Sequence, residues 1–210
     1  MSIRLLNELC KFGKYDVYVL FAIARKKNNP LTSSQEIVFR EIIKTKEDIA
    51  RKYNKISVLA KNYISPDGVR YNFYIYVSVN ARDSIKGLFR FKSRLDSWLL
   101  ESFNGGDISN KVKKIDALWL SSLMNPESKS SRGLFIIDLD TKNETTYERI
   151  EDYLHKNSIC VKLTQETKNG YHIITSPFNV LSFNTYLNSY GIDKVEVKKD
   201  GLLFLGVENN

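Results

Sequence analysis

The chain has few of the residues that build disulfide frameworks or structural zinc sites. Its 210 residues include two cysteines, Cys10 and Cys160, and two histidines. So few cysteines exclude a disulfide-stabilised fold and a four-cysteine zinc site, and they favour a reducing compartment. No apolar run approaches the roughly 20 residues that span a bilayer, and the start, Met-Ser-Ile-Arg, lacks a secretory pattern. We therefore expect a cytoplasmic protein with no membrane partner.

What the chain does contain is ample material for a core and an excess of positive charge. Hydrophobic residues make up 42% and aromatic residues 12%, which suits one domain or two closely packed subdomains. The formal net charge is +8 and the pI is near 9.3. Because lysine and arginine release counterions when they neutralise phosphates, this balance favours a polyanionic partner.

The most informative stretch is residues 134–140, Leu-Phe-Ile-Ile-Asp-Leu-Asp. Its apolar run is too short for a helix and predicts a buried strand. On a strand, Asp138 and Asp140 face the same side, and two such carboxylates repel each other unless a cation lies between them. The pattern predicts a site for Mg²⁺ or Mn²⁺ that supports phosphoryl transfer. The alternative is a strand end that enters a turn, with Asp140 as a helix N-cap.

Periodicity predicts the elements of the first half. We expect strands at residues 16–24 and 71–79, a helix or strand at 115–123, and helices at 3–12, 35–43, 46–62 and 84–103. Ser33 or Ser34 is the expected cap of the second helix. The helix at 84–103 is expected to bury its large apolar residues, which are Phe89, Phe91, Leu95, Trp98, Leu99 and Phe103.

The second half reads as β-α-β-β-α-β from residue 134, which is the ferredoxin-like or RNA-recognition pattern. Residues 125–131, Asn-Pro-Glu-Ser-Lys-Ser-Ser, have linker composition and are expected to be mobile. We therefore predict an α/β fold with an amino-terminal α/β subdomain at residues 1–124. An RNA-recognition-like subdomain follows at residues 125–210, and together they form one core.

Basic residues follow two of the predicted strands. Arg25, Lys26 and Lys27 come after the first strand and are candidates for nucleic-acid binding, although a solvated loop is equally consistent with them. Arg82 follows the strand at 71–79, where an arginine can grip a phosphate with two hydrogen bonds. A surface ion pair between Arg82 and Asp83 is the alternative.

Three segments of the chain resemble the motifs of the archaeo-eukaryotic primase superfamily, the primase-polymerases. They are the strand that ends in Asp138-x-Asp140, the strand that carries His172 after Asn-Gly-Tyr, and an acid near the last strand. The resemblance covers mainly residues 134–207. Residues 76–82 also resemble a family strand that ends in Asn-Pro-Arg, with Ala81 in place of the proline.

The resemblance implies a catalytic core that joins nucleoside triphosphates with two divalent metal ions. By position, Asp138 and Asp140 would bind Mg²⁺ or Mn²⁺, and His172 would contact the incoming triphosphate. Asp200 is the expected third catalytic carboxylate and metal ligand, with Glu196 and Asp193 as rivals. The rest of the expected nucleotide-binding set is Arg82, Lys168, Asn169 and Gly170.

Two of these assignments carry expectations about geometry. If their strands share a sheet, His172 should lie on the face that bears Asp138 and Asp140. Gly170 stands where the family usually has a serine, two residues before the histidine, and a glycine lets a phosphate approach the backbone closely.

The resemblance also implies partners: a single-stranded DNA template, nucleoside triphosphates and a separate helicase where strand opening is needed. Compact units of this kind resemble those of phages and mobile elements, which implies replication priming, with repair as the alternative. A metal-dependent nuclease and a non-catalytic nucleic-acid-binding module remain alternatives. Residues 198–201 also match the Lys-x-Asp-Gly signature of covalent nucleotidyltransferases, but only nine residues follow Gly201, so we regard that match as coincidence.

Overall fold

The computed structural model describes residues 2–31 and 36–208. In this part of the chain, seven α-helices pack around two antiparallel sheets, which makes a mixed α/β fold. The elements are α1 (Ser2–Leu9), β1 (Asp16–Ala24), β2 (Ile37–Ile43), α2 (Asp48–Asn62), β3 (Phe73–Ser78), β4 (Arg82–Asp83), α3 (Ser84–Phe103), α4 (Ser109–Val112), α5 (Ile115–Leu123), β5 (Phe135–Leu139), α6 (Glu144–Lys156), β6 (Val161–Glu166), β7 (Tyr171–Thr175), α7 (Val180–Ser189), β8 (Val195–Lys198) and β9 (Leu202–Glu208).

The first sheet is centred on β1. Its strand order is β2-β1-β3-β9, and β4 pairs with the start of β1. Leu20 and Ala22 on one face of β1 pack in the core with α1 and α2, while Val19 and Phe21 on the other face pack near α5. Because both faces are covered, β1 is nearly continuously apolar from Val17 to Ala24 instead of alternating.

The second sheet has the order β6-β7-β5-β8, and all its neighbouring strands are antiparallel. Ile137 and Leu139 of β5 pack with α6 and α7 on one face. On the other face, Ile136 and Ile174 join the core of the first sheet. The two sheets therefore share a core, and the strand β5 lies between that core and the helices.

Residues 37–43 form a strand, so the helix predicted there is wrong. β2 pairs with β1 along its length, from Tyr18 opposite Ile43 to Ala24 opposite Ile37. The apolar positions fit one helical face, but isoleucine and valine favour a strand when a neighbouring strand is available. The expected cap at Ser33 or Ser34 lies outside the described residues.

The helix α3 has the predicted bounds, but its predicted burial is wrong. Phe89, Leu99 and Phe103 are exposed, whereas Gly87 is the buried residue of this helix. The side of α3 that faces α5 contributes Phe91, whose ring meets Trp119 edge to face at 5.9 Å. Periodicity identifies a helix, but it does not say which of its apolar positions have a partner.

Residues 125–131, which composition predicts to be mobile, are hydrogen-bonded into the fold. Asn125 caps a short 3₁₀ turn at Pro126–Ser128, the hydroxyl of Ser128 donates to Ser122, and the amide of Ser130 donates to Ala81. The division at residues 124 and 125 stays a prediction. The strand β9 crosses it, because β9 pairs with β3 of the first sheet.

Within the described part of the chain, no helix combines the length and the apolar character that a bilayer crossing requires. Cys10 and Cys160 are both free thiols, the first buried and the second exposed.

Candidate functional site

A row of ionisable side chains crosses the second sheet. Asp138 on β5 lies directly opposite His172 on β7 and opposite Glu196 on β8. Residues that are directly opposed in an antiparallel pair project to the same face. Since the neighbours Ile137 and Leu139 are buried under α6 and α7, strand alternation turns this row toward the first sheet.

Asp138 has a cationic neighbour on one carboxylate oxygen and a histidine on the other. Nε2 of His172 lies 3.2 Å from Oδ1, and Nζ of Lys198 donates to Oδ2 at 2.5 Å. The same ammonium lies 3.2 Å from a carboxylate oxygen of Glu196. The sequence predicts repulsion between Asp138 and Asp140, but the structure shows Asp138 already compensated by side chains of the protein.

These contacts change the ionisation of the pair. The hydrogen bond from His172, together with Lys198, lowers the pKa of Asp138 to about 2 although burial opposes the shift. Burial by itself would lower the pKa of Lys198, but its contacts with Asp138 and Glu196 outweigh that effect and raise it. Both groups are therefore charged at neutral pH.

The ring of His172 has a fixed orientation in this arrangement. Its Nε2 faces Asp138, while Nδ1 is buried with no hydrogen-bond partner among the described residues. The predicted placement of His172 on the face of Asp138 is confirmed by the register of β5 and β7. Only Nε2 is directed at the acid, so this nitrogen is the one available for chemistry at the site.

Asp138, His172 and Lys198 line one wall of a cleft of about 600 Å³ between the two sheets. The cleft brings together most of the predicted site residues, namely Arg25, Asp138, Asp140, Lys168, Asn169 and His172. The first sheet supplies aromatic residues to the opposite wall, which are Tyr74, Tyr76 and Phe204. The cleft therefore combines acids, bases and aromatic surfaces.

Gly170 packs closely against the end of β5, and its expected role in nucleotide binding stays a prediction. A Cβ atom at this position would lie 1.9 Å from the carbonyl oxygen of Leu139 and 2.8 Å from the amide nitrogen of Thr141. The close approach of the backbone at the end of β5 thus requires a glycine at position 170. This packing, with the hydrogen bond from the Thr167 amide to the Gly170 carbonyl, holds Lys168 and Asp140 at the same edge of the cleft.

Asp140 follows the last residue of β5. Its amide donates to the carbonyl of Lys194 at 3.0 Å, which fixes the backbone at this point. Its carboxylate is exposed, and no ion pair or side-chain hydrogen bond to it occurs among the described residues. Asp138 and Asp140 therefore differ, since the first is compensated by the protein and the second is open to a ligand.

Two predicted site residues, Arg82 and Asp200, lie outside this cleft. Arg82 donates two hydrogen bonds to Asp200, at 2.8 and 2.9 Å, and Asn80 adds a third at 3.2 Å. The side chain of Arg82 is only 1% exposed. The expected phosphate-binding arginine and the expected third carboxylate are thus bound to each other, beside a separate cavity of about 530 Å³.

The other candidates lie in different places. Of the rival carboxylates, Glu196 lies opposite Asp138, whereas Asp193 is exposed in the loop before β8. Lys26 is exposed in a 3₁₀ turn and is not among the residues that line the cleft. The side chain of Lys27 lies outside the described part of the structure.

Sequence reasoning did not identify Lys198, Tyr76 or Phe204 as site residues. The sequence did contain a signal for Lys198, because Glu196 and Lys198 are two residues apart on a strand and therefore project from the same face. The sequence carries no signal for Tyr76 and Phe204, because they belong to the distant strands β3 and β9. In the structure their ring centres lie 5.7 Å apart. The guanidinium of Arg25 lies 4.8 Å from the centre of the Tyr76 ring, which anchors it at the cleft.

The donors fit a divalent metal only if a ligand completes its coordination. Among the described residues, no group of three histidine, cysteine or acidic side chains is close enough to hold a metal ion. Magnesium commonly takes one or two carboxylates together with substrate phosphates. Asp138 and Asp140, both at the cleft, offer that donor set.

No family model, no curated protein and no solved structure matches this chain. Function is therefore inferred from the residues of the cleft.

Proposed function

We propose that this protein is a template-dependent nucleotidyltransferase of the primase-polymerase type, which joins nucleoside triphosphates along a single-stranded DNA template. The observation that carries the proposal is the pairing of Asp138 with His172, 3.2 Å apart, in a cleft that also contains Asp140 and Lys168. The resemblance in the sequence assigns metal binding to the acids and triphosphate binding to the histidine. Their common location supports both roles.

The strand order supports a primase-polymerase arrangement. Counted from β5, the segment runs β-α-β-β-α-β, and its first strand lies between the third and the fourth. With every neighbouring pair antiparallel, this order supports the assignment of a ferredoxin-like or RNA-recognition module. Asp138 lies on β5, one of its two central strands, and Asp140 directly follows that strand. The first sheet would be the accompanying subdomain.

The lining of the cleft suits a nucleotide. Its volume of about 600 Å³ is within the range of roughly 300–1,000 Å³ that is usual for ligand pockets. Arg25, Lys168 and Lys198 supply positive charge for phosphates. Tyr76 and Phe204 supply flat apolar surface on which a base can stack.

Asp138 and Asp140 are the residues that would hold Mg²⁺ or Mn²⁺. When bound, such an ion supplies Lewis-acid stabilisation of the charge that develops in phosphoryl transfer. Asp140 is available as it stands, whereas Asp138 must exchange part of its contact with Lys198. Nε2 of His172 contacts Asp138, and in this role it would exchange that contact for a hydrogen bond to a phosphate oxygen of the nucleotide.

A second candidate, a nucleic-acid-binding module without catalysis, has an observation in its favour. Lys198 neutralises Asp138, and Asp200, the expected third carboxylate, is engaged by Arg82. A chain with these contacts and an open basic cleft would still bind a polyanion. The test below separates the two functions.

The test is incorporation of labelled nucleotides on a single-stranded DNA template, with Mg²⁺ or Mn²⁺ supplied. We expect labelled strands with the wild type and a loss of at least about 100-fold in Asp140→Asn, because one of two metal-binding carboxylates is removed. A matched control is Asp152→Asn, which changes an exposed acid on α6. Shortened template would indicate a nuclease, binding without synthesis would indicate the module, and either outcome would overturn the proposal.

In this proposal the protein works in the cytoplasm, where its two free thiols stay reduced and nucleoside triphosphates are at hand. A separate helicase would expose the template strand. Replication priming is the process that these partners serve.

A further inference from the structure

The helix α3 carries a long apolar surface that nothing in the described chain covers. Its exposed residues are Ile85 (38%), Leu88 (51%), Phe89 (71%), Leu99 (55%), Leu100 (61%) and Phe103 (88%). Large apolar surfaces that remain exposed commonly mark interaction sites. The opposite side of α3 packs on α5, so this surface is free along the whole helix, which is about 30 Å long at 1.5 Å per residue.

These residues form one face, and a pair of opposite charges lies in its middle. Spacings of three, four and seven residues place them on a single side of the helix. Lys92 and Asp96 lie on the same side and form an ion pair at 2.6 Å. We call this face, from Ile85 to Phe103 and including the pair, the α3 stripe.

The α3 stripe is symmetric in sequence about residue 94. Ile85 and Phe103 are each nine residues from that position, and Lys92 and Asp96 are each two residues from it. Leu88 and Leu100 are six residues away, and Phe89 and Leu99 are five. Every apolar residue of the stripe therefore has an apolar mate, and the cation has the anion as its mate.

We propose that α3 is a dimer interface, in which two copies of the chain pair their α3 stripes antiparallel about a twofold axis near residue 94. In that arrangement each residue meets its mate from the other copy, as a twofold interface requires. Apolar residues meet apolar residues, and each Lys92 meets Asp96 of the other copy. A parallel arrangement would instead place Lys92 against Lys92, so the charges select the antiparallel one.

The shape of the α3 stripe suits such pairing. The first half of α3 forms a groove of about 430 Å³, lined by Ile85, Leu88, Phe89, Phe91, Lys92 and Leu95. The mates of Leu88 and Ile85 in this groove are Leu100 and Phe103, the most exposed large residues of the second half. They would enter the groove of the other copy. None of the residues that line the cleft belongs to α3, so the dimer leaves both clefts open.

The test exploits the central charges and measures mass by sedimentation equilibrium of the full chain across the micromolar range. Lys92→Glu makes the centre of both stripes acidic, and Asp96→Lys makes both basic. Each change turns two attractions into two repulsions, so we expect each variant to dimerise at least about tenfold more weakly than the wild type. An equimolar mixture should recover dimer, because the new acid at position 92 then faces the new lysine at position 96.

Recovery in the mixture cannot come from misfolded variants, which makes it the decisive measurement. Phe103→Glu should also break the dimer, whereas Leu181→Glu, at an equally exposed apolar position on α7, should leave it intact. A wild type that stays monomeric throughout the range would overturn the proposal. So would single variants that dimerise like the wild type, or a mixture that recovers nothing.

Discussion

Nε2 of His172 lies 3.2 Å from Oδ1 of Asp138, because the two residues are directly opposed on the antiparallel strands β7 and β5. One sheet register thus joins two residues that are 34 positions apart in the sequence. Lys198 reaches the other oxygen of Asp138 from β8. Strands on both sides of β5 therefore control the charge of this carboxylate.

The first prediction concerns stability at low pH. The pKa of Asp138 is about 2 in the folded protein and near 3.8 when unperturbed. A depressed folded-state pKa contributes stability above the unfolded value, and that stability is lost as pH falls from about 4 to about 2. We expect the wild type to lose on the order of 2 kcal/mol more in this window than Asp138→Asn, which has no charge to protonate. Urea unfolding at a series of pH values measures the difference, and parallel curves would contradict it.

The second prediction separates the roles of the two histidines. His172→Ala removes the proposed donor to the triphosphate, so we expect the KM for nucleoside triphosphate to rise about tenfold or more. Template affinity should stay nearly unchanged, because the candidate nucleic-acid-binding residues Arg25 and Lys26 remain. The control is His155→Ala, in the last turn of α6, which should alter neither. Equal losses of nucleotide and template binding would mean that His172 only supports the fold.

The third prediction tests the contact between Gly170 and the end of β5. Since an added Cβ would lie 1.9 Å from the Leu139 carbonyl oxygen, Gly170→Ala should lower the free energy of unfolding by about 1–3 kcal/mol. It should also reduce activity, because the backbone that carries Asp140 has to move. Gly133→Ala is the control, since the nearest atom to its added Cβ is Lys129 Nζ at 3.5 Å, an ordinary van der Waals distance. Gly170→Ala with wild-type stability would contradict the contact.

The fourth prediction concerns the pair Arg82 and Asp200. Arg82→Met leaves a carboxylate without its main partner, and breaking such a buried pair costs about 3–5 kcal/mol. The double variant Arg82→Met with Asp200→Leu should recover part of the loss, because neither charge remains. Chemical unfolding measures both. A fully stable Arg82→Met with a raised KM for nucleotide would instead assign Arg82 to phosphate binding.

Local signals were enough for much of the fold. The strand Asp16–Ala24 and the helix Ser84–Phe103 have their predicted bounds, and the elements from β5 to β8 follow the predicted order β-α-β-β-α-β. Apolar periodicity, turn residues and capping act over a few residues, so they can be read without the rest of the chain. The shared face of Asp138 and His172 follows in the same way, from strand alternation once their strands are taken as neighbours.

Contacts between distant segments decided the rest. Residues 37–43 form a strand because they pair with the edge of β1. No local sequence pattern shows that this edge is available for pairing. Arg82 and Asp200 lie 118 positions apart in the sequence but are hydrogen-bonded to each other. This pairing places both side chains outside the cleft. Lys198 neutralises Asp138 across a register that the sequence does not specify. On α3 the sequence determined an amphipathic helix, but only packing decided which face is covered and which is exposed, because burial depends on what the other elements leave open.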